Sequence, residues 1–107
     1  MMKNALFTLA LATAFSVAHA ADGNAAAGKE KSTTCAACHG PDGNSPSPDF
    51  PKLAGQQQDY LAAALHQYKT GKRKNPIMAG FAANLSEQDI ADLTAYFSSQ
   101  KGLVLKY

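Results

Sequence analysis

The sequence lacks several features that mark common classes of protein. It has only two cysteines, so a zinc site built from two cysteine pairs would miss its second pair, and no further cysteine can compete as a disulfide partner. Ten basic and eight acidic residues give a formal net charge of +2, which indicates neither nucleic acid nor a membrane surface as a partner. No internal repeat is present, and no segment alternates apolar and polar residues as a β-strand would. These absences favour a small all-α domain.

The N-terminal segment has the three parts of a secretory signal peptide. Lys3 supplies a positive charge, residues 5–17 form an uncharged apolar stretch, and the sequence AHA at 18–20 has the small-x-small pattern of a cleavage site. The apolar stretch is too short to span a bilayer, and no stop-transfer pattern follows it. We therefore predict that residues 1–20 are cleaved. The mature domain, residues 21–107, is expected in the periplasm without stable membrane insertion.

The sequence CAACH at positions 35–39 carries the most specific chemical signal in the chain. Two thiols separated by two residues, with a histidine directly after the second, form the attachment signature of c-type haem. Cys35 and Cys38 would each add to one vinyl group of the porphyrin, and His39 would bind the iron through its imidazole. Because the motif occurs once, we expect one covalently bound haem c. A thioredoxin-like redox pair is the main alternative, but no strand pattern precedes Cys35 as that motif requires.

Apolar periodicity and helix-capping residues predict three main helices. The first is an alanine-rich segment that runs into the CAACH sequence, the second is ended by a glycine, and the third begins at a serine cap. These segments cover residues 22–34, 56–70 and 86–102. The stretches 40–50 and 72–84 contain prolines and glycines at turn-forming positions and are predicted as loops.

The second iron ligand is sought among the other methionines and histidines, since haem proteins that carry electrons use both axial positions. Met1 and Met2 leave with the signal peptide, so Met78 is the single methionine of the mature chain. Met78 lies in the predicted loop 72–84, outside any periodic apolar face, and this placement favours ligation over a role in the core. The alternative ligand is His66, which is offset from the apolar face of the second helix.

Four motifs in this order resemble the class I cytochrome c family. They are CAACH at 35–39, PKLAGQ at 51–56, N-P-x-M at 75–78 and LTAYF at 93–97. The similarity is to the small bacterial periplasmic type, which also occurs duplicated as two-haem cytochromes, and it extends over essentially all of the mature chain. It implies the class I cytochrome c fold, with helices and loops wrapped around one covalent haem.

The resemblance also implies roles for individual residues. Pro51 matches a proline whose carbonyl accepts a hydrogen bond from the proximal histidine, a bond that fixes the imidazole and makes it a better donor. Leu53 is expected to pack on the porphyrin. Gly28 is expected to let the first and last helices cross closely near Leu93 and Tyr96. The haem cavity should then be lined by Cys35, Cys38, His39, Pro51, Leu53 and Met78.

The chain contains no tryptophan, a residue that some class I cytochromes use near a haem propionate. Arg73 and the hydroxyl groups of Tyr60 and Tyr68 are candidates for propionate contact. A solvated surface position for these side chains is equally compatible with the sequence.

These features predict an electron carrier that cycles one haem iron, held by His39 and Met78, between the ferric and ferrous states. With both axial positions filled, no site stays open for a substrate, so the chain is not expected to be an enzyme. Expected partners are redox proteins such as a membrane-bound cytochrome reductase or a terminal oxidase, docked transiently. One alternative is a haem c subunit of a larger oxidoreductase. Another is a catalytic or ligand-sensing haem domain, which would need a vacant sixth position.

Overall fold

The computed structural model describes residues 22–103, together with residue 5 and residues 10–13. Regular secondary structure within residues 22–103 is entirely helical, which confirms the all-α prediction. The helices of this part are α1 (Ala25–Lys31), α2 (Thr33–His39), α3 (Gln58–Thr70), α4 (Pro76–Ala82) and α5 (Glu87–Ser98). None of them is long and apolar enough to cross a membrane. The predicted signal peptide, residues 1–20, lies largely outside the described residues and stays a prediction.

The predicted first helix is divided into two by a turn at Ser32, so the prediction of one continuous helix is wrong. Ser32 Oγ donates a hydrogen bond to the Lys29 carbonyl at 2.7 Å, a local side-chain contact that competes with helix continuation. The second part, α2, carries the whole CAACH sequence and ends with His39. Gly40 follows with a φ of 84°, a conformation that favours glycine and turns the chain away from the helix axis.

The prediction of a loop over residues 72–84 is also wrong, because residues 76–82 form α4. Asn75 caps this helix, and its Oδ1 accepts hydrogen bonds from the backbone N–H groups of Ile77 and Met78, both at 3.1 Å. Pro76 occupies the first helical position, where its missing N–H would have had no helical partner. Met78 therefore lies in the first turn of a helix and not in a loop.

The last helix begins at the predicted Ser86 cap, but it ends at Ser98, before the predicted stop at Gly102. Ser86 Oγ accepts a hydrogen bond from the Asp89 N–H, and the Asp89 carboxylate accepts one from the Ser86 N–H, both at 3.0 Å. This reciprocal pair is a capping box, which satisfies two backbone donors at the start of α5. Ile90, Leu93 and Phe97 are buried as predicted, and α5 provides much of the core.

Helix α1 crosses α5 at a point where only glycine fits. Gly28 is buried, and a Cβ placed on it would lie 1.9 Å from the Asp92 carbonyl oxygen and 2.8 Å from the Cβ of Tyr96. Gly28 lies close to Tyr96, as expected. The backbone nearest to it is that of Asp92, the residue before Leu93, which was the other expected neighbour. The close crossing brings the N-terminal segment, and with it α2, to a defined position on α5.

A buried carboxylate reinforces this crossing. Asp92 accepts hydrogen bonds from Lys31 Nζ at 2.6 Å, from the Asn24 backbone N–H at 2.8 Å and from Gln88 Nε2 at 2.7 Å. The bond from Lys31, then those from Asn24 and Gln88, lower the pKa of Asp92 to about 2. Since an unfolded aspartate has its ordinary, higher pKa, the ionised form stabilises the folded state.

We expect Asp92→Asn to lower the free energy of unfolding at neutral pH. The variant should also lose less of its stability than the wild type as the pH falls. In the wild type, the stabilisation from Asp92 is present above the ordinary aspartate pKa of 3.8 and is lost as the pH falls towards about 2. The measurement is the urea midpoint between pH 7 and pH 2, with Asp59→Asn on the exposed first turn of α3 as the control. Equal pH dependence in both variants would contradict this assignment.

The long loop between α2 and α3 is tied to α5 and thereby positions the residues that follow the CAACH sequence. The Gly43 carbonyl accepts hydrogen bonds from the backbone N–H groups of Leu53 and Ala54, at 2.8 and 3.2 Å. Tyr96 Oη donates to the Pro41 carbonyl at 2.7 Å, which anchors the start of the loop on α5. Residues 51–53 are consequently held beside the C-terminal end of α2.

Candidate cofactor-binding site

A cavity in the described part of the chain has a volume of about 440 Å³ and a mainly apolar wall. Its lining comes from all five helices, α1 contributing Lys31, and from the loops between them. Each of the six residues predicted to line a haem cavity contributes to this wall, namely Cys35, Cys38, His39, Pro51, Leu53 and Met78. A volume of this size is ordinary for a site that encloses a small organic molecule or cofactor.

His39 is buried and has a defined hydrogen-bonding state. Its Nδ1 lies 2.8 Å from the carbonyl oxygen of Pro51, as the family resemblance implied. A carbonyl oxygen can only accept, so Nδ1 carries the hydrogen and donates it. In the neutral imidazole, Nε2 then keeps its lone pair, which is the form that binds a metal. The Phe50 ring packs edge-on at 6.3 Å between ring centroids and further restricts the imidazole.

The two thiols lie one helical turn apart on α2, so they share a face of the helix. Both are half-buried and neither forms a disulfide. Burial raises the pKa of the Cys35 thiol, with a smaller opposing effect from a hydrogen bond to Thr34. Redox-active Cys-x-x-Cys pairs have a lowered thiol pKa and follow a strand. The raised pKa, and the lack of a strand in residues 22–103, argue against the thioredoxin-like alternative.

Met78 is half-buried and enters the cavity wall from α4. Helices α2 and α4 do not pack against each other, so the cavity separates the helix that carries His39 from the helix that carries Met78. The capping contacts of Asn75 hold the first turn of α4 and therefore the backbone of Met78. His39 and Met78 therefore reach the same cavity from different helices.

The alternative ligand, His66, lies outside the cavity wall. Its Nδ1 lies 2.8 Å from the Ala62 carbonyl oxygen, and its Nε2 lies 2.8 Å from Glu87 Oε2. Both ring nitrogens are therefore hydrogen-bonded away from the cavity, which agrees with the predicted offset of His66 from the apolar face of the helix. Met78 is the better placed of the two candidates.

Some residues of the site escaped the sequence analysis. Phe50 packs beside His39, and Leu85 lines the cavity after α4. Phe50 directly precedes the PKLAGQ motif, and that position was its only sequence signal. Leu85 falls outside every apolar period and could not have been recognised. Tyr60, Tyr68 and Arg73, which the sequence left undecided between cofactor contact and solvent, all line the cavity.

Comparison with known proteins identifies the family. The family model described as cytochrome c matches residues 25–101. This chain belongs to the cytochrome c family. Cytochrome c4 of Pseudomonas aeruginosa is 54% identical over 94% of this chain and 48% of that protein. The thiosulfate dehydrogenase electron acceptor of Thiomonas intermedia is 37% identical over 87% of this chain and 43% of that protein.

The fold agrees with a solved cytochrome structure. The crystal structure of reduced recombinant cytochrome c4 from Pseudomonas stutzeri superposes with a TM-score of 0.72 and 50% identity, covering 77% of this chain and 48% of that one. The predicted class I cytochrome c fold is thus confirmed. The chain spans about half the length of the cytochrome c4 relatives that it matches.

The cofactor of the cytochrome c family is haem c, held covalently through cysteines, and this chain has its two cysteines at positions 35 and 38. The residues present fit that group. The cavity is apolar, two thiols stand on one face of α2, and His39 has a free Nε2 because Nδ1 is bonded to Pro51. The prediction of haem c as cofactor is confirmed by the family.

Proposed function

We propose that this chain is an electron carrier and not an enzyme, with one haem c in the cavity between α2 and α4. The observation that carries the proposal is the Nδ1–H bond of His39 to the Pro51 carbonyl, which leaves Nε2 for iron in a cavity shared with both thiols. When bound, the haem supplies a one-electron couple between ferric and ferrous iron.

In this proposal, the chain's own residues hold the iron in the same environment in both oxidation states. Cys35 and Cys38 would hold the porphyrin through thioether bonds, and His39 and Met78 would bind the iron. The Pro51 carbonyl fixes the imidazole and increases its donor strength. Leu53 and the other apolar wall residues exclude water. With both His39 and Met78 bound to the iron, little rearrangement would accompany electron transfer, and no position on the iron would stay open for a substrate.

The direct test is the mass and spectrum of the exported protein, produced together with a cytochrome c maturation system. We expect residues 21–107 plus the mass of one haem, in the periplasmic fraction, with the haem retained after denaturation. The ferrous protein should show a low-spin spectrum that carbon monoxide does not change. Loss of all haem in denaturant would contradict covalent attachment, and ready binding of carbon monoxide would favour a ligand-sensing or catalytic haem domain.

A second candidate is a haem c subunit of a larger oxidoreductase. The similarity to a protein named as a thiosulfate dehydrogenase electron acceptor supports a function in which this chain accepts electrons from an oxidoreductase. It could do so as a free carrier or as a bound subunit. Co-purification from the native periplasm distinguishes the two. A stable stoichiometric complex would favour the subunit, and a free monomeric cytochrome would favour the carrier.

We place the docking surface of the carrier at α4 and the segment before it. Ile77 and Phe81 are 62% and 47% exposed, and both also line the cavity, so they connect its rim with the surface. Beside them, Lys72 and Lys74 are exposed and make no ion pair with a carboxylate of the described residues. An apolar rim flanked by positive charge fits an acidic redox partner that docks briefly. A membrane-bound cytochrome reductase and a terminal oxidase are the proposed partner classes.

Reversing this charge should slow electron transfer to the partner. We expect the Lys72→Glu/Lys74→Glu double variant to react more slowly at low ionic strength, with the difference from wild type shrinking as salt screens the charges. The matched control is Lys29→Glu/Lys101→Glu, since Lys29 lies on α1, which does not pack against α4. Stopped-flow oxidation across a salt series measures both. Equal slowing of electron transfer by the two double variants would contradict a docking surface at α4.

A further inference from the structure

Gly80 differs from the other glycines of the chain, because the fold does not require a glycine at its position. All eight glycines of the sequence lie within residues 22–103. For each of the other seven, either an added Cβ atom would lie less than 3.0 Å from a neighbouring atom or the backbone φ is between 73° and 85°. Gly80 lies inside α4, and a Cβ atom on it would meet no atom outside its own turn of helix within 4 Å. Alanine would therefore fit there.

A glycine inside a helix lowers stability. It loses more conformational freedom on folding than alanine does, and it is among the least favourable residues in a helix interior. In α4 this cost falls on a helix of only seven residues, which is marginal by its own propensity. No contact of the described residues offsets the cost, since the space above Gly80 is empty. That space is free for a group that does not belong to this domain.

The surface around Gly80 is apolar. Ile77 and Phe81 lie three residues before it and one residue after it, and residues three or four apart share a face of a helix. Both of these side chains are exposed, whereas Met78 and Ala82, on the other side of α4, are half-buried and buried. The missing side chain at position 80 thus leaves a notch beside two large apolar groups on the exposed face of α4.

Positive charge lies close to this notch. Lys72 and Lys74 are exposed, and neither forms an ion pair with a carboxylate of the described residues. Lys74 and Ala79, the residue before Gly80, line the same shallow pocket, which places the charge next to the notch. A second copy of this chain would bring the same positive charges to the contact and be repelled. An acidic surface with an apolar residue at its centre is complementary to both features.

We infer that Gly80 keeps the notch open for an apolar side chain on the acidic face of the redox partner, which packs directly against the backbone of α4. The inference rests on the proposed function and specifies a contact of its docking surface. Attraction between charges acts at a distance and tolerates changes of shape. A packed contact instead rejects added bulk, so the notch would select partners by shape as well as by charge.

The test is electron exchange between the purified holoproteins and membrane vesicles of the native host. Reduction driven by quinol reports a membrane-bound cytochrome reductase, oxidation under air reports a terminal oxidase, and the faster of the two wild-type reactions is compared among variants. We expect Gly80→Ala to lower the second-order rate constant about threefold and Gly80→Leu about tenfold, because bulk forced into a packed contact costs free energy. Gly80→Ala should nevertheless melt about 2–6 °C above the wild type, because alanine favours the helix.

Three controls separate a lost contact from a general effect of bulk. Ala26→Leu adds apolar bulk to an exposed position of α1, which does not pack against α4, and should react like the wild type. Ferricyanide is a small oxidant that needs no fitted surface, so it should oxidise Gly80→Leu and the wild type equally fast. The slowing by Gly80→Leu should persist at high ionic strength, whereas salt reduces the effect of reversing the charge at Lys72 and Lys74.

The outcomes that refute this inference differ from those that refute the proposed function. Equal rates for Gly80→Leu and the wild type with the vesicles would exclude a close contact at Gly80. Slower oxidation of Gly80→Leu by ferricyanide, or a changed reduction potential, would assign Gly80 to the surroundings of the cofactor. A wild-type dimer that Gly80→Leu dissociates, seen by sedimentation, would assign the notch to a second copy. Absence of haem from the wild type, or no electron exchange with the vesicles, would instead overturn the proposed function.

Discussion

The Cys35→Ser/Cys38→Ser double variant is expected to lose most of its folded, exported form. Serine keeps the size of the side chains but cannot form the thioether bonds that would hold haem. Without haem, an apolar cavity of about 440 Å³ would stay unfilled at the centre of the domain, and small domains have only about 5–15 kcal/mol of stability in all. The helices around the cavity should therefore not stay packed without a filled centre.

Periplasmic yield, haem content and far-ultraviolet circular dichroism measure this loss. The single variants Cys35→Ser and Cys38→Ser are the controls, since each keeps one thioether and should retain an intermediate amount of holoprotein. A haem-free double variant with native helix content and a cooperative unfolding transition would show that the protein fills its own centre. That result would contradict the assignment of the cavity as a cofactor site.

Met78→Ala is expected to change the spectrum and lower the reduction potential. A thioether is a neutral ligand that raises the potential, and its removal should leave a vacant sixth position that binds carbon monoxide. We expect a decrease on the order of 0.1 V, a modest part of the roughly 0.8 V over which axial ligands set haem potentials. Met78→His should restore a low-spin spectrum at a potential clearly below that of the wild type.

The control for this change is Ile77→Ala on the same turn of α4. Ile77 is exposed and its backbone N–H bonds to the same Asn75 cap, so a general loosening of α4 would appear in both variants. A change confined to Met78→Ala identifies the thioether as the ligand. Unchanged spectrum and potential in Met78→Ala would refute the assignment, and His66→Ala would then be the variant to examine.

The error over α4 shows how a short helix can be missed. Residues 72–84 contain proline and glycine and have no long apolar period, which favours a loop. Yet Asn75 followed by Pro76 is a helix-start signal, and the structure shows Asn75 capping the first turn. A seven-residue helix has too few turns to display periodicity, so its caps were the stronger signal. Met78 was expected in a loop, whereas the first turn of α4 brings it to the cavity wall.

The break in the first helix at Ser32 was also missed from the sequence. Alanine-rich sequence from residue 22 onward favours continuous helix, and propensity alone gave no reason to stop at Ser32. The turn depends on a hydrogen bond from Ser32 Oγ to Lys29 and on the burial of Ser32, which is 4% exposed. Burial is a property of the assembled fold, and a local pattern does not contain it.

What the sequence determined by itself was the chemistry of the CAACH motif and the identity of the longer helices. Both depend on residues within a turn or two of each other: Cys35, Cys38 and His39 in one case, the capping box at Ser86 in the other. The tertiary structure decided which distant groups meet. It brought the Pro51 carbonyl to His39 and the Asp92 carboxylate to Lys31. The first contact depends on the path of the loop between α2 and α3, and the second on the packing of α1 against α5, so local sequence sets neither distance.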